Sequence, residues 1–146
     1  MITRATGSIK ILLVEDNPGD VRLITEAFKN VEATINIVVA KDGFEAMQIL
    51  KREGNYTTAI KPQLIVLDLN LPKKNGREVL KEIKSNPELQ MIPVIILTTS
   101  SAEEDIIETY KNHVNAYITK PFNLEKFIEI VKSIYDFWLK NVKLPL

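Results

Sequence analysis

The stretch Leu64-Ile-Val-Leu-Asp-Leu-Asn-Leu-Pro72, followed by Lys73-Lys74-Asn75-Gly76, decides the fold. Its four leading apolar residues, β-branched at Ile65 and Val66, carry the pattern of a short strand buried on both faces, as in the middle of a parallel sheet. Asp68 then stands where that strand surfaces. In open α/β sheets, ligands and chemistry gather in the crevice outside the carboxyl ends of the strands. Asp68 is therefore the first candidate functional residue.

Outward from this stretch the same arrangement repeats. Ile9–Val14 reads as a strand that stops at Glu15-Asp16-Asn17-Pro18. Pro18 suits the first turn of a helix, which carries Leu23, Ile24, Ala27, Phe28 and Val31 at helical spacing and ends near Asn30. Ile35–Ala40 is a second strand. Asp42 and Gly43 open a helix bearing Phe44, Ala46, Met47, Ile49 and Leu50, with its stop expected at Gly54-Asn55, and an irregular segment over 56–62 leads into the Asp68 strand. Beyond Pro72, a helix places Val79, Leu80 and Ile83 inward and closes at Asn86-Pro87.

Residues 93–97 form a fourth strand ending in Thr98, Thr99, Ser100 and Ser101. Ser100 or Ser101 is expected to cap the next helix, whose Glu103 and Glu104 complement its dipole. That helix has few apolar residues (Ile106, Ile107, Tyr110) and is expected to be the most loosely held. Ala116–Thr119 is a short fifth strand ending at Lys120-Pro121, and Asn123 caps a last helix reaching about Leu139 or Val142.

Five strands alternating with five helices predict an α/β fold, a doubly wound parallel sheet covered on both faces. Right-handed crossovers leave few topologies, and the order 2-1-3-4-5 is one of the two common ones. Strands one and three are then neighbours, and Glu15 and Asp16 face Asp68 across one crevice.

At 146 residues, a single domain spanning 1–146 is expected, with its core from about residue 9 to 139 and no separate output or DNA-binding domain. The 19 basic and 19 acidic side chains cancel, so no global field favours nucleic acid or an anionic membrane. Cysteine is absent, which excludes disulfide and thiol chemistry and fits a reducing cytoplasm. No run approaches the roughly 20 apolar residues of a membrane span, and the start of the chain lacks the apolar core of a signal peptide. A soluble cytoplasmic protein is expected.

Three carboxylates converging within a few ångströms repel one another, a conflict that a divalent cation removes. The ligands are all oxygen, which selects magnesium, or manganese, over zinc or copper. Magnesium commonly binds through one or two carboxylates plus a phosphate. Lys120 and the Thr98 hydroxyl, at the ends of strands five and four, complete a cradle for a phosphoryl group. Asp68 is the expected nucleophile, and as a carboxylate it needs no general base.

The residues Leu12-Leu-Val-Glu-Asp-Asn17, Leu67-Asp-Leu-Asn-Leu-Pro72 with Gly76, Thr98, Tyr117 and Lys120-Pro121 resemble the receiver domain of two-component response regulators. The spacings from Asp68 to Thr98 and on to Lys120 fit the family pattern, and the likeness runs from about Ile9 to Trp138. Within the family, Glu-Asp-Asn-Pro-Gly-Asp-Val-Arg-Leu, Leu-Asn-Leu-Pro-Lys-Lys-Asn-Gly-Arg-Glu-Val-Leu and Phe137-Trp138-Leu139 resemble the single-domain cyanobacterial phytochrome response regulators.

The resemblance implies that Asp68 accepts a phosphoryl group from a sensor histidine kinase and that the chain is no enzyme in the ordinary sense. Asp16 would ligate magnesium directly, Glu15 directly or through water, with Asp68 and the main-chain carbonyl of Asn70 completing the set. Lys120 would pair with the phosphoryl oxygens, its bond to Pro121 being cis. Thr98 would move toward the phosphoryl group and Tyr117 would turn inward behind it. That motion would reshape the surface of helix four, strand five and helix five, through which an unidentified downstream protein binds.

Two departures from the family pattern stand out. Thr99 is bulkier than the residue usual there and is expected to narrow access to Asp68. Ser100 lacks the carboxylate or amide that helps place a hydrolytic water, so a long-lived phosphoryl group is expected. On the last helix, apolar residues from Phe127 to Leu139 spread over an arc of about 200° at 100° each, about twice the width one core face needs. An extra-wide core stripe, or a C-terminal tail folding over it, is one account of the excess. The other, which the phytochrome-linked relatives suggest and which is expected here, is a two-fold homodimer through helix four, strand five and helix five.

Three other functions compete. A haloacid-dehalogenase-type phosphatase needs a second Asp two residues after the nucleophile, and that position is Asn70. A flavodoxin-like nucleotide module needs a Ser/Thr/Gly-rich first loop, where this chain has Glu-Asp-Asn-Pro. A receiver-shaped interaction protein that never takes phosphate would have no use for the complete acceptor, metal and switch set.

Overall fold

The computed structural model describes residues 8–31 and 33–145. The polar start of the chain, residues 1–7, on which the absence of a signal peptide was read, lies outside the described residues. Ten elements alternate along the chain: β1 (Ile9–Val14), α1 (Pro18–Lys29), β2 (Ile35–Ala40), α2 (Gly43–Lys51), β3 (Leu64–Leu67), α3 (Gly76–Ser85), β4 (Val94–Thr98), α4 (Glu103–Lys111), β5 (Ala116–Thr119) and α5 (Leu124–Ile134). The strands are parallel and lie in the order β2-β1-β3-β4-β5, as the alternation predicted.

All four residues of β3 are buried, because β1 and β4 flank it and helices cover both faces. Alternate residues point to opposite faces of a strand. Leu12, Val14, Ile65, Leu67 and Ile96 therefore pack with α2 and α3, while Ile11, Leu13, Leu64, Val66, Ile95 and Leu97 pack with α1 and α5. No helix among the described residues is long and apolar enough to cross a membrane.

Local chemistry sets the helix starts. Asn17, Asp42, Asn75 and Asn123 each accept a backbone N–H in the first turn of α1, α2, α3 and α5, and Asn75 forms a reciprocal box with Glu78. The start of α4 differs from expectation. Its cap position is Ala102, which offers no side-chain acceptor, and the one backbone N–H that the Ser100 hydroxyl accepts is that of Ala102, at 3.3 Å. Of the α4 residues only Thr109 is buried, in line with the sparse apolar pattern.

Two boundaries shift. α2 stops at Lys51 rather than at Gly54-Asn55, because Arg52 adopts the left-handed conformation (φ 59°) and its N–H closes the last turn on Gln48 and Ile49. Gly54 instead opens a short 3-10 turn. α5 keeps α-helical bonding only to Ile134, and Tyr135–Asn141 continues as a π-helix. The wider turn lowers the angular step per residue, so an arc laid out at 100° throughout does not describe the residues beyond Ile134. Tyr135 and Leu139 are buried, while Leu124, Ile128 and Phe137 remain exposed. The Lys120-Pro121 bond is trans: no cis peptide occurs among the described residues, trans being the lower-energy isomer where no contact locks the other.

Candidate functional site

Parallel β1 and β3 end side by side, and their register puts Val14 beside Leu67. The residues that follow therefore emerge together. Glu15 N–H donates to Ala40 at 3.0 Å, and Asp68 N–H donates to Val14 at 3.0 Å, so both acids are held by the sheet itself. Glu15, Asp16 and Asp68 each offer an oxygen, and the three lie within 4.8 Å of one another. Glu15 and Asp68 are buried and Asp16 is exposed.

Lys120 enters from the end of β5, its side chain only 5% exposed. Its ammonium donates to Glu15 at 2.7 Å, Asp20 at 2.8 Å and Asp68 at 3.2 Å, which uses all three protons. Burial opposes the lysine's charge, yet the carboxylates of Asp20 and Glu15 outweigh it and raise its pKa. Glu15 behaves in the opposite sense. Burial pushes its carboxyl up to about 7, the Asp68 charge adds to that, and Lys120 only partly offsets it. One lysine thus leaves the acids under-compensated. An all-oxygen set in this condition fits a hard divalent cation such as magnesium or manganese.

The two residues expected to act as a switch lie on the next strands, Thr98 at the end of β4 and Tyr117 within β5. Thr98 is fully buried, and its hydroxyl oxygen is approached by Ser100 N–H at 3.5 Å. Tyr117 already lies inward, its hydroxyl donating to the Ser100 carbonyl at 2.9 Å. The sequence reading expected that position only after phosphoryl uptake. Asn70 N–H donates to Asp68 at 3.3 Å, so the loop folds back on the acid, while the Asn70 side chain is exposed. Thr99 is exposed and lines a hollow with Asp20, Lys120 and Phe122. His113 is exposed at the far end of α4.

Two groups of residues play parts that the sequence does not show. Asp20 completes the lysine's coordination. It is the third residue of α1, and its N–H is held by Asn17, so an acid in the first turn of a helix entering the crevice was the available signal. Gly43 and Gly76 allow close backbone approach. A Cβ on Gly76 would stand 2.2 Å from the Asp68 carbonyl oxygen, and one on Gly43 would stand 1.8 Å from that of Lys74.

In the metal-free protein, the raised pKa of Glu15 ties stability to pH. The proton it holds contributes stability that is full below about 4.5 and is lost as the pH rises through about 7. The chelated protein should therefore lose melting temperature across that window, and saturating magnesium should reverse the trend. Calorimetric melts with chelator or with magnesium check this.

Comparison with known proteins completes the site. The response regulator receiver domain matches residues 11–132. The response regulator Rcp1 of Synechocystis is 50% identical over 135 residues, covering 92% of this chain and 92% of that protein. A crystal structure of the phosphorylated cyanobacterial phytochrome response regulator RcpA superposes with a TM-score of 0.94 at 54% identity, covering 96% of this chain and all of the other. The Mn(2+)-bound form of Rcp1 superposes with a TM-score of 0.92 at 48% identity, covering 94% and 99%.

Proposed function

Because the chain belongs to the response regulator receiver domain family, we propose that Asp68 accepts a phosphoryl group from a sensor histidine kinase, one of phytochrome type, in the cytoplasm. The observation that carries this is the Asp68 carboxylate placed against both Lys120 and the Glu15–Asp16 pair.

The chain's own residues perform the transfer. A carboxylate oxygen of Asp68 attacks phosphorus, the bond from phosphorus to the donor's imidazole nitrogen breaks, and that nitrogen keeps the electron pair. A carboxylate nucleophile carries no proton to be removed, so no base intervenes. Lys120 turns a donor from Asp68 toward the phosphoryl oxygens, and its ties to Glu15 and Asp20 hold it within reach. A divalent cation held by Glu15, Asp16, Asp68 and the Asn70 carbonyl would neutralise charge on the transferring group. Phosphoryl transfer asks for little beyond this positioning and neutralisation.

Thr98 and Tyr117 carry the state outward to α4, β5 and α5. Ser100, at the place where a water-orienting group would stand, spends its hydroxyl on Asp105 at 2.7 Å, which supports slow hydrolysis. In this reading the chain is a phosphoacceptor and not an ordinary enzyme. It acts as a single receiver domain, and its signal leaves by contact with a downstream protein or by onward phosphoryl transfer.

Incubation with a phytochrome-type kinase autophosphorylated on histidine should move label to this chain only with magnesium and leave it there for minutes. A receiver-shaped protein that never takes phosphate would stay unlabelled.

The exposed apolar side chains Ile107 and Tyr110 on α4 support a two-fold homodimer through the α4–β5–α5 face. Sedimentation across a concentration series should show a monomer–dimer equilibrium. Ile107→Glu should shift it to monomer.

A further inference from the structure

Arg77 stands in the first turn of α3, outside the acidic crevice, yet it reaches the first turn of α4. Its Nε and one Nη donate to the two carboxylate oxygens of Asp105, each at 2.8 Å. A bidentate guanidinium–carboxylate pair fixes direction as well as charge. Asp105 also accepts the Ser100 hydroxyl at 2.7 Å. The Ser100 carbonyl accepts the Tyr117 hydroxyl at 2.9 Å, and the Ser100 N–H faces the Thr98 hydroxyl oxygen at 3.5 Å. One continuous chain of polar contacts thus runs from α3 through α4 and the loop to β5. It passes through Ser100, two residues beyond Thr98.

Little else holds the start of α4 in place. The helix has no side-chain N-cap and buries only Thr109, near its other end. The Arg77–Asp105 pair is partly withdrawn from solvent, the two side chains being 31% and 14% exposed. The guanidinium of Arg77, and then the Ser100 hydroxyl, hold the Asp105 carboxyl below its ordinary value. The pair therefore stays intact at neutral pH.

We propose that Arg77 is a positioning residue for the switch: through Asp105 and Ser100 it holds the β4–α4 loop in the arrangement that receives the Tyr117 hydroxyl, so the inward state of Tyr117 is populated before any phosphoryl group arrives. The proposal deepens, and rests on, the reading of Asp68 as phosphoacceptor and of Thr98 and Tyr117 as its switch. A modification shifts a two-state equilibrium only by the free energy that distinguishes the states. With Arg77 in place, part of the preference for the inward state is already present. Without it, Ser100 loses its anchor, Tyr117 turns outward more often, and the competent fraction falls.

The test uses the full chain labelled with 3-fluorotyrosine, in which Tyr117→Phe identifies the Tyr117 fluorine resonance. In Arg77→Met and in Asp105→Asn, that resonance should move toward the solvent-exposed position in unphosphorylated protein. Uptake from acetyl phosphate should slow by about three- to tenfold in each. The double variant should be no slower than either single one, the signature of residues acting through one contact. Arg77→Lys keeps the charge but loses the fork, and should recover only part of the rate.

An unmoved Tyr117 resonance in both single variants, with Asp68 still labelling normally, would overturn the positioning role alone. Absence of labelling in the wild-type chain would instead overturn the phosphoacceptor reading, and this proposal with it. Asp105→Asn guards against a folding defect particular to the Arg77 substitution, and a normal melting profile confirms either variant as folded.

Discussion

Asp68→Asn is expected to take up no phosphoryl group from acetyl phosphate or from a phosphorylated histidine kinase, under conditions where the wild-type chain is fully labelled. The amide matches the carboxylate in size and leaves the β3 exit packed as before. It lacks a nucleophilic oxygen, and removal of a covalent nucleophile costs at least roughly a thousandfold in rate. The same substitution removes a negative charge that raises the Glu15 pKa. Glu15 should then titrate lower, and the loss of stability of the chelated protein with rising pH should shift to lower pH. Labelling and melting thus report on one residue through two independent observables. Persistent labelling of Asp68→Asn would place the acceptor elsewhere.

The second large effect belongs to a residue that never touches the phosphoryl group. Gly76→Ala would put a methyl 2.2 Å from the Asp68 carbonyl oxygen and 2.7 Å from the Leu69 Cα. Neither is the end of a flexible side chain, so the backbone itself must move. The expected cost is about 3 kcal/mol or more, a drop in melting temperature of about 6 to 12 °C for a domain of this size. The displaced loop also carries Asp68 and Asn70, so the folded fraction should label more slowly. Gly19→Ala is the control. Its nearest contact is the side-chain oxygen of Asn17 at 3.2 Å, and it should cost no more than about 1 kcal/mol. Equal melting of the Gly76 and Gly19 variants would mean that Gly76 does not support the loop.

The contrast between these two residues marks what the sequence could reveal. Asp68 was legible because a buried strand has a visible pattern and an acid at its exit breaks it. Glu15, Asp16, Thr98 and Lys120 were legible for the same reason, standing at the ends of three other strands. The parallel sheet then brings strand ends together without further information. Asn17, Asp42, Asn75 and Asn123 mark helix starts because capping is a local interaction.

What stayed hidden depends on contacts between distant segments. The room denied to a Cβ at Gly76 comes from the Asp68 backbone, and that at Gly43 from Lys74 on the neighbouring loop. The pairing of Arg77 with Asp105 joins α3 to α4 by side-chain reach, which periodicity does not encode. Arg52 ends α2 in a left-handed conformation that a glycine adopts more readily, so Gly54 is the stop that the sequence suggests. The inward Tyr117 belongs to the same class, since its partner Ser100 lies on another strand's exit loop.

The central claim is that Asp68 is the phosphoacceptor of a magnesium-dependent receiver. Its most direct test is to incubate the wild-type chain with acetyl phosphate, with magnesium or with chelator, then trap the product by borohydride reduction and map it by peptide mass spectrometry. The account predicts one phosphoryl group per chain with magnesium and none with chelator, with the reduced residue at position 68. A label at another residue, or equal labelling in chelator, would contradict it.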